Sequence, residues 1–479
     1  MISVHHPSAT AALGDLSAFR AAFHHCLTAR ADALFELADA VLCAEGPVTS
    51  LVELSLATEH RRGHGSLYDG LNRGRLEVNR FRAVLAHQSI PRSQDGRIVL
   101  AIDVSHWLRP DANTSPERLF CHTYARGKGQ AQIIPGWPYS YVVALEPGRS
   151  SWTAILDVLR VRPVDDHTDL AAAQLRTVVD TLITAGHWQT GDPEIWIIGD
   201  SGYDGSRLAF LLADLPVRIL VRLRSDRVLR FPAPPRQPGT RGRRIRHGAR
   251  FVFTDPTSWP TPAQATITNT TRYGVAHAQS WDRLHTKLTR VGAWVGHAES
   301  LPIVEGTVIR LQVQHLPGTG TPKPLWLWYS TTDNDAAPTA DQVDRLWQMF
   351  LRRFDLKHTF RFLKQTLGWT TPRVRAPEAA DRWTWLMVAV YTQLRLARPV
   401  VEDRRRPWER KPAAPGRLSP ARVRRGFRAV RPATAMPASA PKFCRPGPGR
   451  PSGSRNSRRA PLHNPARPGK QTSRVKTQA

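Results

Sequence analysis

The chain has 479 residues, and its 68 Lys and Arg against 39 Asp and Glu give a formal net charge of +29. This excess is far larger than solubility requires and favours a polyanion as partner. The four cysteines are too widely spaced for a zinc site or a disulfide framework. The sequence also lacks a run of about 18 apolar residues, the length that a membrane-spanning helix needs. We therefore expect a cytoplasmic protein without a membrane partner, and the excess of Arg over Lys is typical of GC-rich bacterial genomes.

The first predicted unit is an N-terminal helical domain over residues 1–94. Residues 14–90 place apolar side chains mainly at helical spacing, with breaks near residues 63–65 and at Gly74. The second half of this region fits a helix-turn-helix whose later helix enters a DNA groove. It fits an ordinary helical subdomain with a basic surface equally well, so both interpretations stay open.

The spacing of apolar residues changes from helical to strand-like in the second unit, residues 95–224. Short apolar runs with many β-branched residues predict strands over 97–107, 139–146 and 151–161. The chain then predicts a helix, a strand ending near Asp200, another helix and a last strand. This order of elements indicates an α/β fold in which helices cover a mixed sheet.

The rest of the chain divides into three predicted segments. Residues 225–335 are irregular and rich in Arg, Pro, Thr and Gly, with strand-like pieces, and predict a β-rich insertion. Residues 336–398 return to helical spacing, with one long helix expected over 340–368. Residues 399–479 carry many Arg and Pro but few large apolar side chains, so we expect a disordered basic tail.

Two aspartates stand at the ends of predicted strands, Asp103 after VLAI and Asp200 after IWIIG. A carboxylate beside a buried strand is costly unless it is paired or binds a cation. Carboxylate pairs can hold two Mg²⁺ or Mn²⁺ ions for phosphoryl chemistry. Each aspartate alone would more simply be a helix cap or a turn former, but the pair on so basic a chain favours a metal site.

The segment RRFDLKHTFRFLKQTLGW, residues 352–369, predicts a helix with an unusual row of charges. One side carries apolar residues at helical spacing: Leu356, Phe360, Leu363 and Leu367. Another side carries cations at the same spacing: Arg353, Lys357, Arg361 and Lys364. Such a row repels itself, so an acid near its centre would be the stabilising arrangement.

Together these features resemble the DDE transposases of bacterial insertion sequences, in the group with a β-rich insertion and a Y-x2-R-x3-E-x6-K signature. The resemblance covers about residues 15–397. It is carried by Asp103 in AIDVSHW and by Asp200 and Tyr203 in GDSGYDG, a D-x-G-Y pattern. The helix described above keeps the spacing of the signature at four positions: Phe350, Arg353, Lys357 and Lys364.

The resemblance implies an RNase H-like catalytic core, formed by residues 95–224 and 336–398, that performs cut-and-paste transposition. Asp103 and Asp200 would bind two Mg²⁺ or Mn²⁺ ions, and activated water would cleave a strand at each transposon end before the freed 3′-hydroxyl attacks target DNA. The implied partners are double-stranded DNA, as inverted-repeat ends and as target, and a second copy of the chain in a synaptic homodimer. We expect the protein to be nucleoid-associated.

Further DNA contacts follow from the same resemblance. Arg353 and Lys364 would hold phosphates or a displaced nucleotide, and Phe350 replaces a tyrosine, keeping the ring without its hydroxyl. Tyr203 joins this set beside Asp200. In the tail, Arg450 in the triplet GRP is similar to the core of an AT-hook that lies in the minor groove, with nonspecific phosphate binding by the whole tail as the alternative.

Lys357 departs from the family pattern, because relatives carry the third metal-binding glutamate there. An ammonium cannot ligate Mg²⁺ and adds repulsion where the site needs negative charge. Asp355 lies about 200° away around the helix, and Glu378 is in the next helix. We therefore predict a transposase impaired by Lys357. The alternatives are a non-catalytic DNA-binding protein that occupies transposon ends as repressor or competitor, and a host nuclease of the same fold.

Overall fold

The computed structural model describes residues 9–63, 65–124, 131–148, 150–239, 241–317, 320–331, 336–410, 417–442, 452–453 and 459–467. The helices are α1 (Ala9–Cys26), α2 (Ala31–Cys43), α3 (Leu51–Leu54), α4 (Gly65–Arg73), α5 (Val78–Ala86), α6 (His167–Thr184), α7 (Gly205–Leu211), α8 (Ala340–Arg352), α9 (Phe354–Gln365), α10 (Pro377–Ala397) and α11 (Pro420–Val430). The strands are β1 (Leu27–Ala29), β2 (Arg75–Leu76), β3 (Val99–Leu108), β4 (Leu119–Tyr124), β5 (Ala131–Leu145), β6 (Thr153–Arg160), β7 (Ile195–Gly199), β8 (Val217–Leu223), β9 (Val228–Pro232), β10 (His247–Val252), β11 (Gln264–Thr270), β12 (Gly274–His285), β13 (Glu305–Val313) and β14 (Leu325–Ser330).

A mixed sheet, twelve-stranded within the described residues, organises the molecule. Its central part follows the order β6, β5, β3, β7, β8, in which β5 is antiparallel to β3 and β6 while β3, β7 and β8 are parallel. This arrangement confirms the predicted RNase H-like mixed sheet. The sequence analysis missed β4, which pairs with the first half of β5, because LFCHTY is short and lacks a regular apolar alternation.

The two faces of this sheet are covered by different helices. Val99 and Ala101 of β3 belong to the core shared with α8, α9 and α10, whereas Leu100 and Ile102 belong to the core shared with α6. Alternate residues of a strand point to opposite faces, so one apolar run supplies both cores. Helices therefore lie on both faces of the sheet, as predicted.

The β-rich insertion continues the sheet. β14 pairs antiparallel with β8, and β13, β12, β9 and β10 follow outward in that order. Aromatic side chains fill the inner side of this extension, where Phe253 stacks on Trp326 with ring centroids 4.1 Å apart and Trp281 is buried. The insertion is thereby fixed to the core strand that leads into it.

Helix α10 is the central helix of the larger core. It is buried along most of its length and contacts α1, α2, α4, α11 and β6. A helix that is apolar on nearly every side is stable only when other elements surround it. Among the described residues, no helix combines the length and the apolar character that crossing a membrane requires.

The single helix predicted over residues 340–368 is divided in the structure. α8 begins at a capping box formed by Thr339 and Gln342 and ends at Arg352, and α9 begins at Phe354. At the junction the backbone N–H of Arg353 donates to Phe350 and its carbonyl accepts from Leu356, both at 3.1 Å, in tighter three-residue turns. The break turns the Arg353 side chain towards the sheet, where an acidic partner holds it.

The prediction of a disordered tail over residues 399–479 is wrong for the segment that contains α11. Val423 and Phe427 of this helix are fully buried, and Arg424 donates to the carbonyls of Val41 and Gly46 at 2.9 and 2.8 Å. Arg431, just after the helix, pairs with Asp39 of α2 at 2.8 Å. Composition concealed this helix because its few apolar residues are spaced four apart and its arginines bond to carbonyls and acids of distant segments, among them Val41 and Glu59.

We expect Phe427→Ala to lower the free energy of unfolding by about 3–5 kcal/mol, because truncating a buried phenylalanine removes apolar contact and leaves a cavity. Trp408→Ala is the matched control, since Trp408 is 76% exposed and should change stability by only about 0.5 kcal/mol. Denaturant titration of the full chain measures both. Equal small losses would show that α11 does not belong to the core.

Candidate functional site

Asp103 and Asp200 lie at the same edge of the sheet. β3 and β7 are parallel neighbours, with Ala101 opposite Ile198, and continuing this register by two residues places Asp103 opposite Asp200. Neighbouring strands are about 4.8 Å apart, so the two carboxylates belong to one site. Asp103 is only 3% exposed and lies in the middle of β3, not at a strand end as predicted, because β3 continues to Leu108; Asp200 directly follows β7 and is half-buried.

The turn after β7 joins Tyr203 to this pair. Asp200 Oδ1 accepts the backbone N–H of Gly202 at 2.9 Å, and a Cβ at position 202 would lie 3.0 Å from the same oxygen, so glycine suits the turn. Burial, and then the charges of Asp103 and Asp200, raise the pKa of the Tyr203 hydroxyl well above its usual range. The Tyr203 hydroxyl therefore stays protonated beside the two acids, and it is buried rather than presented to solvent.

One carboxylate oxygen of Asp103 contacts two cationic side chains. Arg353 Nη1 donates to Asp103 Oδ2 at 2.9 Å, and Lys357 Nζ lies 2.5 Å from the same oxygen. The Arg353 side chain is nearly as buried as its partner, whereas the Lys357 side chain is 48% exposed. Two of the four cations in the predicted row thus converge on the buried aspartate.

Aromatic rings support both cations. The Arg353 guanidinium lies 5.6 Å from the ring centroid of Phe350 and 5.5 Å from that of Phe354, and Lys357 Nζ lies 5.7 Å from the ring of Phe360. Phe350 is only 1% exposed, so in this structure it underlies Arg353. Such cation–π contacts stabilise a partly desolvated charge.

In the part of the chain that the structure describes, no third acid completes the pair. Among the described residues, no group of three or more His, Cys, Asp or Glu side chains could hold a metal ion. Asp355 pairs with Arg352 in a neighbouring cavity, and Glu378 lines a different cavity at the start of α10. With two cations on Asp103 and no third carboxylate, these residues do not fit a pair of divalent ions.

Lys364 extends the row of cations along α9, and His106 of β3 lies beside this row. Burial, and then Lys357, lower the pKa of Lys364 to about 8, and its ammonium lies 5.6 Å from the ring of Trp369. Burial and the charges of Lys364 and Lys357 lower the pKa of His106 to about 4. His106 is therefore neutral near pH 7, and its position on β3 beside this row could not be inferred from its spacing in the sequence.

A cavity of about 620 Å³ opens beside Arg353 and Lys357. Residues of β8, the insertion and the α8–α9 junction line it. Among them are cations and a histidine that the sequence analysis did not select: Arg222, Arg272, Lys323 and His358. The only sequence signal for them was the general excess of positive charge. Arg450, predicted to enter a minor groove, lies outside the described residues.

Comparison with known proteins gives a family match. A family described as DDE superfamily endonuclease matches residues 22–287, more than half of the chain. The matched span includes Asp103, Asp200 and Tyr203 and ends before Lys357. Among solved structures, the chain is similar to the piggyBac transposase in a synaptic complex with hairpin DNA, with 9% sequence identity and a TM-score of 0.42, covering 77% of this chain and 65% of that one. No curated protein matches the chain.

The two ion pairs of Asp103 should contribute unequally to the free energy of unfolding. Asp103→Asn leaves the Arg353 guanidinium buried without its carboxylate and should cost about 3–5 kcal/mol of unfolding free energy. Lys357→Gln removes a half-exposed partner and should cost about 1 kcal/mol or less. Denaturant titration of both variants tests the difference, and similar losses would contradict a buried Asp103–Arg353 pair.

Proposed function

Because this chain belongs to the DDE superfamily endonucleases, we propose that it is a DNA transposase of the bacterial insertion-sequence type whose active site Lys357 blocks. The observation that carries the proposal is the 2.5 Å contact between Lys357 Nζ and Asp103 Oδ2. In the group that the sequence resembles, a glutamate stands at the position of Lys357. Here the same helix face supplies a cation instead.

The net charge of the side chains around Asp103 supports the proposal that Lys357 blocks the active site. Asp103 and Asp200 face Arg353 and Lys357, so the four side chains are neutral as a group. A glutamate at position 357 would give three carboxylates against one guanidinium. Unit charges about 4 Å apart interact by about 4 kcal/mol near a protein surface, so an ammonium there opposes divalent cations by several kcal/mol.

The remaining site residues keep the properties that DNA binding needs. Arg353 and Lys357 line the 620 Å³ cavity, and Lys364 continues this row of cations beside Lys357. Phosphate contacts of this kind position DNA without reading its sequence. We propose inverted-repeat ends and target DNA as ligands, a homodimer in the synaptic complex, and Mg²⁺ or Mn²⁺ as the ions of an intact site.

The proposed organisation follows the predicted boundaries. Residues 1–94 form the N-terminal DNA-binding region, residues 95–224 and 336–398 the catalytic core, and residues 225–335 the insertion. The basic residues after 399 add nonspecific phosphate affinity outside α11. The packing of α10 against α1, α2 and α4 supports a firm connection between the N-terminal helices and the core.

The ion pair also favours a second candidate function, a non-catalytic DNA-binding protein that occupies transposon ends and represses or competes with active copies. Binding would persist because the row of cations is intact, while cleavage would be absent. The two candidates differ in whether a single substitution restores cleavage. They share the expectation that the native chain binds end DNA without cutting it.

Lys357→Glu tests the transposase proposal. On duplex DNA carrying the terminal inverted repeat that flanks the reading frame, the native chain should stay at background in Mg²⁺ or Mn²⁺. The variant should cleave at least about 100-fold faster, the scale on which single electrostatic groups act in active sites. Strand nicking on a denaturing gel gives the rate.

Two variants control for this result. Lys357→Gln removes the cation without adding a ligand and should stay at background, as should Asp103→Asn combined with Lys357→Glu. Background activity of Lys357→Glu on DNA that it binds as tightly as the native chain would refute the assignment of position 357 and favour the repressor. DNA cleavage by the native chain would refute the proposal that Lys357 blocks the active site.

A further inference from the structure

A second cavity, of about 350 Å³, lies beside the Asp103 site and is rich in arginine. Five separate parts of the chain form its wall: the β5–β6 loop, the β11–β12 turn, the α8–α9 junction, the end of α10 and the segment before α11. Its charged lining residues, called here the arginine pocket, are Arg272, Arg352, Asp355, His358, Arg398 and Arg417. These arginines are far apart in the sequence, and the fold brings them together.

Positive charge exceeds negative charge in this pocket. Asp355, its single acidic lining residue among those described, pairs with Arg352, and burial raises the pKa of the Asp355 carboxyl to about 7. Arg398 donates to both oxygens of Glu146, at 3.2 and 3.1 Å. Arg272 and Arg417 are exposed and form no ion pair within the described parts of the chain. Their charges are therefore available to a ligand.

The start of α11 adds donors to the same cavity. Ser419 is the N-cap residue, its side chain accepts no capping hydrogen bond, and the first turn of this 11-residue helix has no acid. Trp152 Nε1 donates to the carbonyl of Leu418 at 2.7 Å, which fixes the segment before the helix against the β5–β6 loop. Pro420 at the first helical position has no N–H, so the group that the start of α11 contributes to this cavity is the Ser419 hydroxyl.

The arginine pocket is continuous with the Asp103 site. Arg272 and His358 line both this pocket and the 620 Å³ cavity that also contains Arg353 and Lys357. Positively charged lining residues therefore extend from Lys357 to the segment before α11. Each DNA strand carries one phosphate per about 3.4 Å of helix axis, so one duplex offers several phosphates to these two cavities.

We infer that the arginine pocket binds a phosphodiester group of the DNA duplex that extends away from the Asp103 site. This assignment rests on the proposed function. Guanidinium groups bind phosphate oxygens through paired N–H donors, and the Ser150, Ser151 and Ser419 side chains in the lining offer further hydroxyl groups. The pocket would fix the direction of the duplex relative to Asp103.

The test compares Arg272→Ala/Arg417→Ala with the native chain, using the full-length protein and a short fluorescent DNA duplex in EDTA. The variant should bind about 5- to 30-fold more weakly near physiological salt, and the slope of log affinity against log salt should fall by about 1–2, because one or two phosphate contacts are lost. Arg272→Lys/Arg417→Lys keeps both charges and should retain the native slope.

Arg162→Ala/Arg176→Ala is the matched control. Arg176 lies on α6, which covers the opposite face of the sheet, and Arg162 lies just before that helix, each paired with an aspartate. This control should bind within about twofold of the native chain with an unchanged slope, since it removes no phosphate contact.

The outcomes separate the two proposals. If the arginine-pocket variant binds like the control while the native chain binds DNA, the pocket assignment is wrong and the proposed function stands. If inorganic phosphate binds the native pocket but the alanine substitutions leave duplex affinity unchanged, the ligand is a free anion and the assignment also fails. If the native chain binds no duplex, the proposed function fails with it.

Discussion

The pairing of Asp103 with Arg353 and Lys357 is the interaction on which the arrangement of the site depends. A carboxylate this deeply buried needs partners, and the break between α8 and α9 places Arg353 where it can provide one. Lys357, one turn later, reaches the same oxygen from the solvent side. The pairing links the central strand of the sheet to the helices that close the core, and it also removes the acidic character that the strand ends would otherwise share.

The positive charge of the molecule has different roles in different places. Arg424 and Arg431 are structural, since carbonyl groups and Asp39 satisfy them inside the N-terminal helical layer. Arg272 and Arg417 face a cavity and are exposed. A net charge alone cannot separate these roles, because a buried arginine with partners contributes little to the field that a distant polyanion experiences.

The sequence predicts the central sheet well because its strands are short, apolar and β-branched, and the helix expected after the third strand is present as α6. Both aspartates follow apolar runs of the sequence, but their pairing across the neighbouring strands β3 and β7 is known only from the fold. The contact of Lys357 with Asp103 depends on how a helix some 250 residues later packs on the sheet, which periodicity does not report. Only a family resemblance singled out that position.

Other features could not be predicted because they are assembled from distant segments. The arginine pocket draws on five parts of the chain, and no local pattern marks any of them. α11 was missed for a different reason: sparse apolar residues in a stretch rich in Arg and Pro are typical of unfolded chain, and acids and carbonyls from distant segments pair with its arginines in the folded protein. In both cases tertiary contacts, and not the local amino-acid composition, determine the structure.

The packing of α11 on α2 has a consequence for the order in which the molecule is completed. Arg424 and Val41 are 383 residues apart in the chain, so the surface of α2 that receives α11 stays uncovered until these 383 further residues have been synthesised. At synthesis rates of about 5–20 residues per second, that interval is roughly 20–80 s. During this time the nascent N-terminal helices expose apolar surface, and ribosome-associated chaperones are the natural means of shielding it.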